Sequence, residues 1–192
     1  SLRKKKWFDE LENKVLKDEM PVLGICIGYH ILFKKSSEGT LAGLSWLEGE
    51  VEIIKSDTQQ IKIPHMGWSS IKVKENSKIL FDVKNAEFYF LHSYKARLKN
   101  ESIVSASCEY VEELPVAVEY KNLFGVQFHP EKSHDNGLNF LEKFVDWRIG
   151  IITNDPGLAK ATGLKFRDIS SAVDNGGIKV KLYETKINHQ QI

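Results

Sequence analysis

With 192 residues, of which 42% are hydrophobic and 28% charged, the chain has the length and balance of one globular domain, which excludes a disordered or fibrous protein. Twenty-seven basic and 26 acidic residues give a net charge of +1, so no overall field draws the protein toward nucleic acid or an anionic membrane. The apolar runs are shorter than the roughly 18 residues of a membrane span and the start lacks a signal peptide's apolar core, so we expect a cytoplasmic protein.

The first predicted elements are a helix, a buried strand and a second helix. Apolar residues at helical spacing predict an amphipathic helix over residues 2–17, in which the basic run 3–6 is a solvated face. Residues 20–26 are apolar without alternation, which is typical of a strand buried on both faces of a sheet. A short helix is predicted over residues 29–35, so a tight turn must separate strand and helix.

The middle of the chain, from residue 43 to 124, is rich in short β-type runs separated by turn signals. A further buried strand is predicted at residues 123–128, and residues 137–147 have the apolar period of a packing helix. We therefore expect an α/β protein with a mixed, mostly parallel sheet flanked by helices and a β-rich insertion. The predicted strands of the middle region are 49–54, 60–63, 70–73, 87–91, 103–108 and 116–120.

Residues 151–192 have a different character. Strong turn signals at 154–157 and 174–177 enclose a segment with only a loose helical period. We predict a domain over residues 1–148, followed by an extension, 149–192, that lies outside the core and to which we assign no function.

The context of Cys26 predicts a nucleophile. Two cysteines, Cys26 and Cys108, cannot build a disulfide framework, and no Cys/His spacing suggests zinc. A lone cysteine is usually a buried packing residue, as we expect for Cys108. Cys26, however, stands between Gly24 and Gly28 where a buried strand turns into a helix, as in a nucleophile elbow. The helix amino terminus favours a thiolate, and its N–H groups can receive an oxyanion.

His129 is the candidate base for this thiol. Pro130 pushes His129 into an extended conformation, and with a period of two the side chains of His129 and Glu131 face the same side. Glu131 could then orient the imidazole and stabilise its protonated form. A lone HxE pattern is more often a strand end beside a surface acid, but together with the cysteine elbow it favours catalysis.

Four motifs in this order resemble those of the class I glutamine amidotransferases: GICIGYH at 24–30, PHMGW at 64–68, YFLHSY at 89–94 and GVQFHPEKS at 125–133. Each motif is weak or moderate alone, whereas the ordered set is very specific. Over about residues 1–148 the chain is most similar to the glutaminase subunit of imidazole glycerol phosphate synthase, of histidine biosynthesis. The resemblance implies a flavodoxin-like α/β fold.

The resemblance also implies a cysteine version of triad catalysis. Cys26 would attack the side-chain amide of glutamine to give a thioester. His129 would protonate the departing ammonia and then activate water, while Glu131 would hold His129. No metal or organic cofactor is implied, because thiolate, imidazole and backbone dipoles suffice for amide hydrolysis.

Substrate and partner contacts follow from the same resemblance. In the family, ammonia passes to a (β/α)₈-barrel cyclase subunit that docks over the active site as a heterodimer. His65, in the second motif, is then a docking or structural residue rather than a metal ligand. The substrate-binding positions correspond to Gly28, His30, Glu38, His92, Ser93 and Tyr94. The partner-interface positions correspond to Trp68, Tyr89 and Lys132.

The sequence departs from the family in two places. Family members usually carry glutamine where this chain has His30, and that amide helps to bind substrate, so the change puts glutamine affinity in question. Family members also begin with a strand, a helix and a strand that ends in a PGVG-like oxyanion loop, and this sequence starts after them. We therefore predict that this chain hydrolyses glutamine poorly unless another chain supplies that segment.

Two alternatives stay open at this point. The same glutaminase could feed ammonia to a sugar-modifying synthetase of surface-polysaccharide biosynthesis, which the unusual His30 mildly favours. The chain could also be a non-catalytic or incomplete fragment, although the intact set Cys26, His129 and Glu131 argues against long decay. His134, in a predicted turn, is expected to face solvent.

Overall fold

A computed structural model describes residues 6–56, 61–83, 86–145, 150–153, 166–168 and 181–184. The helices are α1 (Lys6–Leu16), α2 (Ile27–Ile31) and α3 (His134–Val145), with 3₁₀ turns at Glu101–Ile103 and Pro130–Lys132. The strands are β1 (Val22–Ile25), β2 (Gly49–Ile53), β3 (His65–Ser70), β4 (Lys72–Val73), β5 (Glu87–His92), β6 (Tyr94–Leu98), β7 (Val104–Glu109), β8 (Glu113–Tyr120), β9 (Leu123–Val126), β10 (Gly150–Thr153), β11 (Phe166–Asp168) and β12 (Lys181–Glu184).

The main sheet of the described residues has eight strands in the order β11-β12-β10-β1-β9-β8-β7-β4. Strand β1 lies near the middle and pairs in parallel with both neighbours, β9 and β10. All four β1 residues are buried, as expected for a strand covered on both faces. The end of β1 is therefore held firmly from both sides.

Two smaller antiparallel sheets form the β-rich insertion. Strand β2 pairs with β6, and β3 pairs with β5 from His65 opposite His92 to Ser70 opposite Glu87. In β3 and β5, exposed and covered positions alternate, so one face of this ribbon packs inward and the other faces solvent.

Helices cover both faces of the main sheet. Successive β1 residues point to opposite faces, and Val22 packs in one apolar cluster while Leu23 packs in the other. Leu11 and Val15, four residues apart on α1, are buried in the first cluster. Phe140 on α3 is buried in the second cluster. No helix in the described ranges has both the length and the apolar content that a membrane crossing requires.

The predicted α/β class, the mixed sheet and the order strand, turn, helix after residue 20 are confirmed, although the second helix is Ile27–Ile31 and not 29–35. The expected predominance of parallel pairing is wrong for the described strands, because only the two pairings of β1 are parallel. Strands β7, β8 and β9 follow one another through short connections, which allow only antiparallel pairing.

Two local predictions fail, and two strands were not predicted. Residues 61–63, the described part of the run 60–63, form no strand. Strands β3 and β6 were not predicted. Glycine and polar residues interrupt the alternation of apolar and polar residues in β3, and charged residues interrupt it in β6. The segment after residue 150 was expected outside the core, yet β10 pairs beside β1 with Ile151 and Ile152 buried. The division of the chain at residue 148 stays a prediction.

Candidate active site

Cys26 occupies a strained turn between β1 and α2. Its φ of 52° and ψ of −107° lie outside the regions that L-residues usually adopt. The side chain is 8% exposed at the carboxyl end of the central strand. This backbone conformation at a non-glycine residue is typical of a nucleophile elbow, in which the side chain projects from the sheet edge.

The glycines on either side of Cys26 act through close packing. A Cβ atom on Gly24 would lie 2.5 Å from the carbonyl oxygen of Gly28, and one on Gly28 would lie 1.7 Å from that of Ile152 in β10. The bend of the backbone is in Cys26 itself. The glycines let strand, helix and β10 approach one another.

The pairing of β1 with β9 brings the histidine motif to the cysteine. Ile25 stands opposite Val126, and the N–H of Cys26 donates to the carbonyl oxygen of Val126 over 2.8 Å. The chain beyond Val126 therefore runs beside Cys26. Because its own N–H is engaged, Cys26 has no backbone donor left for an oxyanion.

His129 and Glu131 form a buried pair. Nδ1 of His129 lies 2.6 Å from Oε1 of Glu131, and the side chains are 4% and 2% exposed. His129 is extended, as Pro130 predicts, but residues Pro130–Lys132 form a 3₁₀ turn, so the turn and not a strand period of two brings Glu131 back to the ring. Oε2 of Glu131 is buried and has no hydrogen-bond partner among the described residues.

The electrostatics of this site favour a protonated imidazole. Burial by itself lowers the pKa of His129, but hydrogen bonds and charge interactions with Cys26 and Glu131 outweigh burial and raise that pKa to about 10. Since Nδ1 faces Glu131, Nε2 is the nitrogen available to Cys26. The three side chains that the sequence singled out are thus brought together in the order thiol, imidazole, carboxylate.

The backbone around His129 is fixed by strand β5. The N–H of His129 donates to the carbonyl oxygen of Tyr89 over 2.8 Å, and the Ser133 hydroxyl donates to the carbonyl oxygen of His129 over 2.6 Å. The N–H of Tyr89 donates to the same Ser133 hydroxyl oxygen. This closed set of hydrogen bonds orients the imidazole before any substrate arrives.

His30 lies in a second buried network. Its Nδ1 is 3.1 Å from Oε2 of Glu38, and its Nε2 is 2.7 Å from Oε1 of Gln127. The amide nitrogen of Gln127 donates to the sulfur of Cys26 over 3.9 Å. Both ring nitrogens of His30, a predicted substrate contact, are therefore engaged by protein groups.

The sequence analysis did not single out Gln127. Its position two residues before His129 could have identified it, because the side chains of residues 127 and 129 on an extended segment point to the same side. Gln127 is 1% exposed. Its side-chain amide is therefore buried next to the candidate nucleophile.

The predicted substrate-binding stretch begins with a buried histidine pair. The Nδ1–H of His92 donates to the carbonyl oxygen of Tyr94 over 2.7 Å, so Nε2 of His92 accepts from Nδ1 of His65 over 3.1 Å. Burial lowers the pKa of His92 to about 3 and that of His65 to about 4, so both rings are neutral at pH 7. His92 lies within electrostatic range of His30 and His129, and the Ser93 carbonyl oxygen accepts from the N–H of Ile54.

Four neighbouring positions on the outer face of β3 and β5 carry large apolar or aromatic side chains. We call this surface the docking face and define it by Met66, Trp68, Tyr89 and Leu91. Met66 is 61% exposed and Trp68 43%. Trp68 contacts the ring of Tyr89 edge-on and stacks on that of His134, which is exposed as expected. Lys132, a predicted interface residue, is also exposed.

Other groups of the described residues play no part in this site. Cys108 is buried in β7, where burial raises the pKa of its thiol, as expected for a packing residue. Within the described ranges, no group of three or more His, Cys, Asp or Glu side chains could hold a metal ion. A cleft of about 720 Å³ beside Lys95, Arg97 and Glu112 contains none of the site residues.

Comparisons with known proteins agree with this geometry. The model of the family "Glutamine amidotransferase class-I" matches residues 8–147. The imidazole glycerol phosphate synthase subunit HisH of Leptospira interrogans is 40% identical over 140 residues, which cover 71% of this chain and 69% of that protein. The corresponding subunit HisH 2 of Methanococcus maripaludis is 39% identical and is covered to 68%.

A solved structure supports the fold. The crystal structure of a glutamine amidotransferase aligns with a TM-score of 0.51 at 24% identity. The alignment covers 70% of this chain and 66% of that one, so the chain spans just under two thirds of that structure.

Proposed function

The chain belongs to the class I glutamine amidotransferase family, and from this premise we propose that it is the glutaminase subunit of an imidazole glycerol phosphate synthase. It hydrolyses glutamine to glutamate and ammonia for a cyclase subunit in histidine biosynthesis. The observation that carries the proposal is the contact of His129 with both Cys26 and Glu131 at the end of β1. The names of relatives about 40% identical favour this acceptor over a polysaccharide sugar.

The first half of the reaction uses the protonated state of His129. The thiolate of Cys26 attacks the side-chain carbonyl carbon of glutamine and forms a C–S bond. The C–N bond then breaks, and Nε2–H of His129 gives its proton to the leaving ammonia. The pKa of about 10 keeps the imidazole protonated at pH 7 until that transfer. The N–H of Ile27, the residue after the nucleophile, is the proposed donor to the oxyanion.

In the second half of the reaction, His129 must act as a base rather than as an acid. Once the sulfur is in the thioester it carries no charge, so one cause of the raised pKa of His129 has gone. The neutral ring takes a proton from water, the hydroxide attacks the thioester, and the C–S bond breaks to return the thiolate. Glu131 remains buried beside Nδ1 and stabilises the imidazolium that re-forms.

The docking face is the proposed binding surface for the cyclase subunit, a (β/α)₈ barrel. Its aromatic and methionine side chains are the types enriched in protein interfaces. The inner side of β5 touches the site, since the carbonyl oxygen of Tyr89 holds His129. Ammonia released at Cys26 would therefore leave next to a covered surface. The proposal places the reaction in the cytoplasm, where a free catalytic thiol stays reduced.

The proposal is tested with the purified chain and an electrophilic glutamine analogue. Peptide mass spectrometry should find Cys26 labelled at least about tenfold faster than Cys108 in the same molecule. Any glutamate release that the parent chain shows, with or without the cyclase subunit, should be lost in Cys26→Ser and kept in Cys108→Ser. Equal labelling of the two cysteines, or glutamate release from Cys26→Ser, would contradict the proposal.

A further inference from the structure

A second polar network reaches Cys26 from the side of α2. It runs from Glu38 through His30 to Gln127 and ends at the sulfur atom. The side chains of His30 and Gln127 are 3% and 1% exposed, while Glu38 is partly exposed at 21%. The triad of Cys26, His129 and Glu131 does not use this network.

Donor and acceptor chemistry fixes the protons in this network. A glutamate carboxylate only accepts hydrogen bonds, so Nδ1 of His30 must donate to Glu38. Because the N–H₂ group of Gln127 faces the sulfur, its Oε1 faces His30 and Nε2 must donate as well. With the amide in this orientation, His30 uses both ring nitrogens as donors, one toward Glu38 and the other toward Gln127.

The alternative amide orientation shows why the ring matters. If Nε2 of His30 were unprotonated, the amide of Gln127 would turn over to donate to it, and Oε1 would then face the sulfur of Cys26. An oxygen lone pair there repels a thiolate, whereas an N–H group stabilises it. His30 thus selects the orientation of Gln127 that suits the charged nucleophile.

We propose that His30 and Glu38 are positioning residues, which hold the amide of Gln127 with its N–H toward Cys26 and so support the thiolate from a second side beside His129. This inference deepens the proposed function and rests on it for the reaction. It assigns to His30 an action on Gln127, because neither ring nitrogen is left for substrate. The titratable groups facing this assembly are Glu38 at His30, His129 at Cys26, and His92, which lies within electrostatic range of His30 and His129.

The test measures how fast iodoacetamide alkylates Cys26 in the full chain, without glutamine, from pH 5 to 10. Cys108 in the same sample is the internal control. Gln127→Glu keeps the acceptor for His30 but turns an oxygen toward the sulfur. We expect alkylation of Cys26 at pH 7 to slow about tenfold or more, and its rate–pH curve to move about one unit to higher pH. The rate of Cys108 should not change.

A matched pair at position 30 separates a positioning role from a structural one. His30→Leu removes the donor to Gln127 and should slow alkylation about tenfold, whereas His30→Gln can still donate and should restore the rate to within about threefold of the parent chain. Glu38→Gln should also slow alkylation, and Glu50→Gln, which makes the same charge change in the exposed pair with Lys35, should not.

The outcomes distinguish the two proposals. Rate–pH curves of Gln127→Glu and His30→Leu that superpose on the parent curve would overturn this inference and leave the proposed function standing. Shifted curves together with equal labelling of Cys26 and Cys108 by the glutamine analogue would overturn the proposed function and leave this inference standing. If Gln127→Glu does not fold, by circular dichroism, the comparison of Glu38→Gln with Glu50→Gln decides.

Discussion

The sulfur of Cys26 lies 3.9 Å from the carbonyl oxygen of Leu91, whose side chain is part of the docking face. One residue of β5 therefore has its side chain on the outer surface and its carbonyl group at the nucleophile. A partner that presses on this strand acts within one residue of the reacting atom. This arrangement leads to separate predictions for the surface and for the site.

Trp68→Ala should weaken binding of the cyclase subunit by about 30-fold or more, because large aromatic residues at the centre of an interface contribute most of its energy. Titration calorimetry or surface plasmon resonance measures the change. Phe81→Ala is the matched control, since Phe81 is a 60% exposed aromatic residue outside the docking face. Equal losses in both variants would contradict the assignment of this surface.

Glu131→Gln should lower kcat/KM for glutamine by about 10²- to 10⁴-fold, as when the orienting acid of a triad loses its charge. Glu131 helps to raise the pKa of His129 to about 10, so its neutralisation should lower that pKa. The imidazolium then deprotonates earlier as pH rises, and the alkaline limb of the rate–pH profile should move to lower pH. A profile that keeps its alkaline limb would show that Glu131 does not set the protonation of His129.

His65→Gln should reduce the acid sensitivity of the fold. The pKa of His65 is about 4 in the folded chain, below its value of about 6.5 when unfolded. The unfolded chain therefore binds a proton first as pH falls, and the ring contributes a loss of stability between about pH 6.5 and 4.

In denaturant titrations at several pH values, this variant should lower the slope of unfolding free energy against pH by up to about 1.4 kcal/mol per pH unit. His134→Gln changes an exposed histidine in the same way and serves as the control. An unchanged slope for His65→Gln would contradict the prediction.

Cys26→Gly should be more stable than Cys26→Ala by about 1 kcal/mol, the reverse of the usual order, because glycine adopts a positive φ without strain. Both variants lose the thiol, so their difference isolates the backbone. Thermal unfolding of the two proteins measures it. A more stable alanine variant would show that the turn at position 26 is relaxed.

The sequence predicted the parts of the site that depend on local chemistry. The elbow at Cys26 was visible as a buried run ending between glycines, and the extended His129 followed from Pro130. The docking face was only partly predictable, because Met66 and Leu91 become neighbours through the pairing of β3 with β5. A one-dimensional pattern does not reveal that register.

The second network was not predictable for a related reason. His30 and Gln127 are separated by 97 positions and meet only because β1 and β9 are adjacent. The position of β10 was not predicted either, because a strand of four residues beside a turn-rich stretch of sequence gives only a weak periodic pattern. Long-range pairing, rather than local propensity, decides both features.

The pairing of Ile25 with Val126 has a consequence for how this protein can vary. Gln127 and His129 follow β9 directly, so this one strand pair places both of them against Cys26. A deletion of one residue in either strand would shift both partners together and turn their side chains to the wrong face. An insertion in the exposed turn at Glu75 and Asn76, between β4 and β5, would leave them where they are. We therefore expect changes in length to be tolerated in the loops of the β-rich insertion. Changes in length within β1 or β9, which have four residues each, should disrupt the site.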